Sequence, residues 1–182
     1  GKSAEGRFRI TDISLSSGTV RFSLAGIPGD FSLSVPGEHT VSNAAAATAL
    51  SVILLEKEKE ILTESDISRI RRGLKIFRGS KRRSEIIGEA GGILFLDDYA
   101  HHPTAIHTTL KGYREFFPGK RIVVDFMPHT YSRTKELLPE FGASFSSADE
   151  VILHKIYASA REKNDKSITG KDLYQEVAKH HR

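Results

Sequence analysis

Residues 91–113, GGILFLDDYAHHPTAIHTTLKGY, decide the fold of this chain. The short apolar run 91–96 is typical of a buried parallel strand, and residues 105–113 repeat apolar side chains at helical spacing. The turn between them carries two carboxylates and two imidazoles: Asp97, Asp98, His101 and His102. In open α/β sheets, ligands bind beyond the carboxyl ends of the strands, where helix N-termini present free N–H groups. This strand-to-helix corner is therefore a candidate site.

A second polar corner, residues 128–134 (PHTYSRT), follows the predicted strand 121–127. It leads into a helix through Phe145 that contains Pro139, which must lie early in the helix or kink it. Because the two corners follow neighbouring strands of the predicted sheet, we expect them to lie side by side at one edge. Arg133 would then attract an anion through its guanidinium and the free N–H groups beside it.

The same corners also fit a purely structural interpretation. Asp98 and Thr134 can serve as helix caps, because such caps are common. His101 and His102 can be solvated turn residues, and Arg133 can pair with a local acid. A metal site is not predicted, because adjacent histidines diverge at a helix start and no third ligand stands at a recognised spacing.

The remaining chain predicts an α/β protein in two parts. Residues 7–35 alternate polar and apolar in three segments, which predicts an antiparallel meander. Two helices follow. The first, 41–57, has Thr40 as a plausible N-cap and apolar residues on nearly all faces, and the second opens with a capping box at residues 63–66. After residue 84, strands and helices alternate, which demands parallel strands with right-handed crossovers.

Composition excludes several classes of protein. The 182 residues contain no cysteine, so disulfides, thiolate nucleophiles and thiolate metal sites are excluded, and a reducing cytoplasm suits the chain. The longest apolar run, Ala44–Leu55, is too short to span a membrane. The net charge of +4 and the basic cluster 78–83 are compatible with an anionic small molecule or with nucleic acid. Nucleic acid is not expected, because no aromatic residues interleave with the basic ones.

His39 and Asn43 also have two interpretations. They are a turn histidine and a first-turn amide if their role is structural. An asparagine side chain, however, carries both a donor and an acceptor and can recognise the edge of a purine. Arg82 and Arg83 are solvated linker charges in the structural interpretation.

Four segments, taken together, resemble the Mur ligase family: VPGEHTVSNA at 35–44, KRR at 81–83, DDYAHHPT at 97–104 and PHTYSRT at 128–134. The DDYAHHPT segment is the most specific, and the resemblance runs over nearly the whole chain. It implies that residues 1–78 are the tail of a central ATP-binding domain and that 79–182 are the first part of a Rossmann-like C-terminal domain. The sugar-binding domain, the phosphate-binding loop and the last strands would then lie outside this chain.

The resemblance implies an ATP-dependent reaction in peptidoglycan synthesis that joins L-alanine to UDP-N-acetylmuramate through an acyl phosphate. Magnesium would be held mainly by the part of the enzyme outside this chain, so the fragment alone should be inactive. The resemblance places five residues at the nucleotide: His39, Thr40, Asn43, Arg83 and Asp98. It places four at the reacting substrates, of which His101 and Arg133 would be catalytic: Tyr99, His101, Thr130 and Arg133. Thr40 stands where many relatives have Asn, and Thr130 where many have Arg, so contacts at these two positions are expected to be weaker or different.

Two alternatives remain open from the sequence. One is a recycling ligase of the same family, which joins a preformed murein tripeptide to the same sugar nucleotide. The other is a non-catalytic module that binds a nucleotide, or nucleic acid through residues 78–83. The PHTYSRT segment favours the alanine-adding activity.

Overall fold

The computed structural model describes residues 3, 5–16, 18–59, 61–158, 162 and 167–181. Most of the polar loop predicted at 158–167 lies outside the described residues. The elements in chain order are β1 Ile10–Ser16, β2 Thr19–Leu24, β3 Ile27–Leu33, α1 Glu38–Glu58, α2 Glu64–Ile76, β4 Glu85–Ala90, β5 Ile93–Asp97, α3 Pro103–Phe116, β6 Val123–Phe126, α4 Tyr131–Glu136, α5 Leu138–Ser144, β7 Glu150–Leu153 and α6 Gly170–His180. Two compact units form: one comprises Gly1–Asp98 with Glu115–Pro118, and the other comprises Tyr99–Arg114 with Gly119–Arg182.

The first unit contains the antiparallel sheet β1-β2-β3, which confirms the predicted meander. Phe22 and Phe31 face each other across β2 and β3, and their rings stack with centroids 5.3 Å apart. Both side chains are at most 1% exposed. Because aromatic cross-strand pairs bury much apolar area, this pair anchors the core of the unit.

Helix α1 begins three residues earlier than predicted, and Thr40 is not its N-cap. Gly37 occupies the cap position with φ 98°, and the Thr40 hydroxyl lies inside the first turn, where it donates to the Gly37 carbonyl at 2.6 Å. The buried face of α1 consists of Val41, Ala44, Ala45, Thr48 and Val52. The expectation of burial on nearly all faces is wrong, because Leu50 and Leu54 on the outer face are more than half exposed.

Helix α2 starts as predicted. The Thr63 side chain accepts from the Asp66 amide, and the Asp66 carboxylate accepts from the Thr63 amide at 3.1 Å, which completes a capping box. Lys59 Nζ lies 2.6 Å from the same carboxylate. The hydrogen bonds from Lys59, and then those from Thr63, lower the pKa of Asp66 to about 2.

Strands β4 and β5 form an antiparallel hairpin around a two-residue turn. Gly91 and Gly92 have φ 58° and 77°, and hairpin turns of this length need left-handed backbone at their central residues. The expected arrangement, in which β5 and β6 are parallel neighbours, is wrong for the described residues: β5 pairs with β4, and β6 pairs with β7. The Gly-Gly turn favours the antiparallel partner that directly precedes β5 in the chain.

The second unit contains the parallel pair β6-β7, in the register Val123↔Glu150 to Phe126↔Leu153. Parallel pairing confirms the expectation for these two strands. The helix predicted after the second corner is divided at Leu137 into α4 and α5, and Pro139 lies in the first turn of α5. Proline is tolerated there because the first turn needs no intrahelical donor.

Buried rings form the core of this unit. Phe126 packs against Phe141 and Phe145, with centroids 5.9 and 5.3 Å apart. Arg114 near the end of α3 donates to the Ser147 carbonyl at 2.8 Å and to Asp149 at 2.7 Å.

None of the helices in the described ranges is long and apolar enough to cross a membrane.

Candidate functional site

The first corner fixes His101 through its own backbone. His101 Nδ1 lies 2.8 Å from the Tyr99 carbonyl oxygen, and the two rings meet edge to face with centroids 4.9 Å apart. Because a carbonyl oxygen can only accept, Nδ1 carries the proton of the neutral ring, and Nε2 remains a hydrogen-bond acceptor. The imidazole therefore presents a basic nitrogen on the side away from the main chain.

His102 has a different role from its neighbour. Its Nδ1 accepts from the Thr104 amide at 3.3 Å, and its carbonyl accepts from the Ile106 amide. These bonds satisfy donors in the first turn of α3, which has no other intrahelical acceptors for them. The structural interpretation therefore fits His102, whereas His101 keeps one nitrogen for other contacts.

Asp98 holds the segment that carries Arg83. Its Oδ2 accepts from the Ser84 amide at 2.7 Å and from the Ser84 hydroxyl at 3.2 Å. Ser84 is 4% exposed and has φ 50°, a left-handed conformation that is costly for a non-glycine residue. Because Asp98 bonds to the residue next to Arg83, the structure brings these two predicted nucleotide residues into one local arrangement.

The basic cluster 78–83 is partly engaged by neighbouring groups. Arg78 Nη1 donates to the Lys75 carbonyl at 3.1 Å, and Arg82 Nε lies 3.4 Å from Asp97. Arg83 is exposed. Two of the guanidinium groups thus have local partners, whereas the structural interpretation had Arg82 and Arg83 as solvated charges.

The second corner is held by residues from the segment after β7. Thr130, which immediately precedes α4, has φ 77°, and its amide donates to the Tyr157 carbonyl at 3.0 Å. The amides of Tyr131 and Ser132 donate to the two carboxylate oxygens of Glu162 at 2.7 and 2.8 Å. Arg133 Nη1 makes a long 3.3 Å hydrogen bond to the carbonyl of His129. This bond orients the Arg133 guanidinium only weakly, because it is longer than most N–H···O hydrogen bonds.

The predicted adenine residues lie on the first turns of α1. His39 and Asn43 are four residues apart and both are exposed, so they lie on one face of the helix. The His39 ring covers Gly37, where an added Cβ would lie 2.6 Å from Cε1. Thr40 is half-buried and its hydroxyl is directed to the main chain. An exposed ring and an exposed amide on one face suit the edge of a planar heterocycle.

The structure thus forms local groups of His39 with Asn43 and of Arg83 with Asp98, and the expected contact between the two corners stays a prediction. In the second unit, His101 contacts Tyr99, whereas Arg133 contacts His129. The sequence analysis missed Ser84 and Glu162. No local signal could have identified Glu162, because it acts on amides 30 residues earlier in the chain.

The described residues contain no group of three or more His, Asp or Glu side chains that could hold a metal ion. The part of the chain that the structure describes therefore does not form a magnesium site by itself.

Polar corners after β-strands, in a mixed α/β chain, are typical of proteins that bind anionic ligands at the ends of strands. Residues 82–182 match the family described as Mur ligase, glutamate ligase domain. This match covers more than half of the chain, so the chain belongs to the Mur ligase family. That finding confirms the resemblance drawn from the four sequence segments.

Individual relatives narrow the comparison. All 182 residues align at 48% identity with the UDP-N-acetylmuramate–L-alanine ligase of Treponema pallidum, of which they cover 38%. The crystal structure of UDP-N-acetylmuramate–alanine ligase from Thermotoga maritima superposes with a TM-score of 0.73 and 27% identity, over 94% of this chain and 35% of that one. Folylpolyglutamate synthase from Mycobacterium tuberculosis shares the fold, with a TM-score of 0.64 and 19% identity over 94% of this chain and 36% of that one. The chain therefore spans little more than a third of the length of these relatives.

Proposed function

We propose that this chain is part of a cytoplasmic, ATP-dependent ligase that joins L-alanine to UDP-N-acetylmuramate in peptidoglycan synthesis. The observation that supports this most strongly is the 48% identity, across every residue of the chain, to the UDP-N-acetylmuramate–L-alanine ligase of Treponema pallidum. We also propose that residues 1–78 belong to a central ATP-binding domain and that 79–182 begin a Rossmann-like C-terminal domain. The family match beginning at residue 82 supports that boundary.

In this proposal, residues of the first unit bind ATP. His39 and Asn43 contact the adenine, Thr40 contributes a weaker contact, and Arg83 and Asp98 hold the rest of the nucleotide. The exposed ring and amide on one face of α1, and the carboxylate of Asp98 bonded to Ser84, support this assignment. When bound, ATP would activate the lactyl carboxylate by phosphorylation.

Residues of the second unit act on the amino acid. Arg133 attracts a carboxylate or phosphate oxygen, because a guanidinium forms short, charge-assisted hydrogen bonds with both. Nε2 of His101, left as an acceptor by the bond to Tyr99, accepts a hydrogen bond from the attacking amine. Tyr99 and Thr130 line the same region.

Assays of the full-length protein test this function. With ATP and UDP-N-acetylmuramate, we expect L-alanine to be ligated and a murein tripeptide to be a poor substrate. The Arg133→Ala variant should lower kcat/KM by about 100-fold, because it removes a donor from developing negative charge. Arg121→Ala is the matched control, since Arg121 pairs with Glu150 on an exposed surface of the same unit. Preference for the tripeptide would contradict the proposal, and so would unchanged kinetics in Arg133→Ala.

Two substitutions separate the nitrogens of His101. Asn can reproduce the Nδ1 donor, whereas Gln places its amide near the position of Nε2. If Nε2 contacts the amine, His101→Asn should lose more activity than His101→Gln. Equal losses would indicate that the bond to Tyr99 is the important one.

A further inference from the structure

The first backbone amides of α4 donate to a side chain that is distant in the sequence. Tyr131 and Ser132 are the first residues of the helix, so their N–H groups have no intrahelical acceptor. Their bonds to Glu162 Oε2 and Oε1, at 2.7 and 2.8 Å, use both oxygens of one carboxylate. Hydrogen bonds to an ionised acceptor are shorter and stronger than neutral ones. Two such bonds to adjacent amides fix both the position and the direction of the first turn.

Thr130, the residue before these amides, cannot fix the first turn of α4 by itself. Within the described residues, Thr130 forms no side-chain cap hydrogen bond, and its φ of 77° is one that a β-branched residue rarely adopts. On its other side, the turn is braced by Tyr157. The Tyr157 carbonyl accepts from the Thr130 amide, its amide donates to the Pro128 carbonyl at 2.8 Å, and its ring stacks on His129. The corner therefore has one brace before Thr130 and another after it.

Arg133 lies on the side held by Glu162. Its bond within the turn, from Nη1 to the His129 carbonyl, is 3.3 Å long and cannot hold the guanidinium firmly. Without the carboxylate, the segment from Tyr131 to Arg133 could rotate about Thr130, while the Tyr157 brace would stay in place. We propose that Glu162 is a positioning residue that holds Arg133 in its productive place, a role that rests on the function proposed above.

A double-mutant cycle in the full-length protein tests this role. Glu162→Gln removes the charge and replaces one acceptor oxygen with an NH₂ group, which faces an amide N–H. We expect it to lower kcat/KM for L-alanine by about tenfold, because small misplacements of a binding group are costly. In the Arg133→Ala background, the same substitution should change kcat/KM by less than about twofold, since the group that it positions is absent. Glu162→Asp, which keeps the charge, should recover part of the activity.

Glu136→Gln is the matched control, because Glu136 is an exposed glutamate in the same helix. Additive losses in the two backgrounds would overturn the proposal, since they are the result expected of general destabilisation. A lower KM for L-alanine in Glu162→Gln would also overturn it, because Glu162 would then compete with the substrate carboxylate. An effect no larger than that of Glu136→Gln would have the same consequence.

Amide hydrogen exchange in the 182-residue chain gives a readout independent of activity. Glu162→Gln should speed exchange at Tyr131 and Ser132 and leave the amide of Thr130, which bonds to Tyr157, unchanged. If the full-length wild type ligates neither amino acid nor tripeptide, the proposed function fails, and this exchange pattern alone decides whether Glu162 holds the turn. Unchanged exchange at Tyr131 and Ser132 would overturn the proposal.

Discussion

Four helices of this protein show two different ways to begin a helix. Helices α2 and α6 each open with a reciprocal capping box, Thr63 with Asp66 and Thr169 with Asp172. Helices α1 and α4 instead begin after residues with positive φ, Gly37 and Thr130, and neither has a side-chain cap hydrogen bond among the described residues. The two self-capped helices carry no predicted site residue. Helices α1 and α4 carry the predicted adenine contacts and Arg133, whereas α5, which also lacks a side-chain cap hydrogen bond among the described residues, carries no predicted site residue.

This contrast connects stability with function. A capping box satisfies the first N–H groups locally and fixes the helix start with its own side chains. A helix start without such a cap leaves N–H groups and nearby side chains available to other partners. The Glu162 carboxylate occupies that place in α4. We infer that the start of α4 is fixed by a side chain distant in sequence and not by a cap of its own.

The largest expected effect is at the start of α1. Gly37→Ala should destabilise the chain by about 1–3 kcal/mol, because alanine is strained at φ 98°, and its Cβ would displace the exposed His39 ring. The free energy of unfolding, measured by urea denaturation and followed by circular dichroism, checks this. In the full-length protein, nucleotide affinity should fall as well, because the His39 ring must move.

Gly6→Ala is the control for Gly37→Ala. Gly6 has φ 80°, but nothing lies within 4 Å of an added Cβ. Its variant should show only the backbone cost of about 1 kcal/mol. Equal losses in the two variants would show that the ring of His39 yields freely, and the idea that Gly37 positions it would have to be abandoned.

The capping box of α2 should contribute less to the free energy of unfolding than Gly37 does. Thr63→Ala removes the acceptor for the Asp66 amide and a hydroxyl donor 2.8 Å from the Asp66 carboxylate. We expect a loss of about 1 kcal/mol in the free energy of unfolding, the usual cost of removing an N-cap. Thr40→Ala, whose hydroxyl bonds only to main-chain carbonyls of its own turn, should cost less, and a larger loss there would contradict the assignment of Gly37 as the cap.

At the start of α4, in contrast, we expect a substitution to increase the stability of the chain. Thr130→Gly relieves the strain at φ 77° and should stabilise the chain by about 0.5–1 kcal/mol, after allowance for the extra entropy that glycine adds to the unfolded state. Thermal unfolding measures this gain. In the full-length protein, the same substitution should lower kcat/KM, because a glycine hinge lets Arg133 move. A gain in both stability and activity would argue that Thr130 has no functional role.

Local sequence signals predicted local structure well. The meander, the capping box at Thr63 and the break at Pro139 follow from alternation, from side-chain hydrogen bonding and from the missing proline N–H, all of which act within a few residues. Gly37 was not predicted as the N-cap of α1, because Thr40 is the better cap by residue type. The turn at Pro36 and Gly37, however, already sets the positive φ at which the helix begins. The partner of β5 was wrong because the periodicity of a strand does not specify its neighbour.

The candidate site divides in the same way. His101 and Arg133 could be identified because they lie in short motifs with an evident chemistry. Glu162 and Ser84 could not, because each acts on a segment far along the chain: Glu162 bonds to amides 30 and 31 residues earlier, and Ser84 to a carboxylate 14 residues later. Such contacts depend on the tertiary fold, and no spacing in the sequence encodes them.

The smallest expected effect is the loss of stability in mild acid, which should arise at the capping-box helices α2 and α6. Hydrogen bonds from Lys59 and then Thr63 hold the pKa of Asp66 at about 2, and those from Thr169 lower the pKa of Asp172. Aspartate in an unfolded chain has a pKa of about 3.9, so the folded state binds fewer protons in acid. The stability that these pairs contribute is fully present well above pH 4 and is lost as the pH falls from about 4 towards 2.

Between pH 7 and pH 4 the loss is small, because at pH 4 only about half of the unfolded aspartates are protonated. Urea unfolding at the two pH values should therefore show a modest fall in the midpoint for the wild-type chain and a smaller fall for Asp66→Asn, which cannot titrate. Asp12→Asn, an exposed aspartate on β1, is the control and should retain the wild-type fall. If Asp66→Asn kept the full pH dependence, the acid sensitivity would arise outside the capping box of α2. The contrast between self-capped and uncapped helix starts would then lose its electrostatic basis.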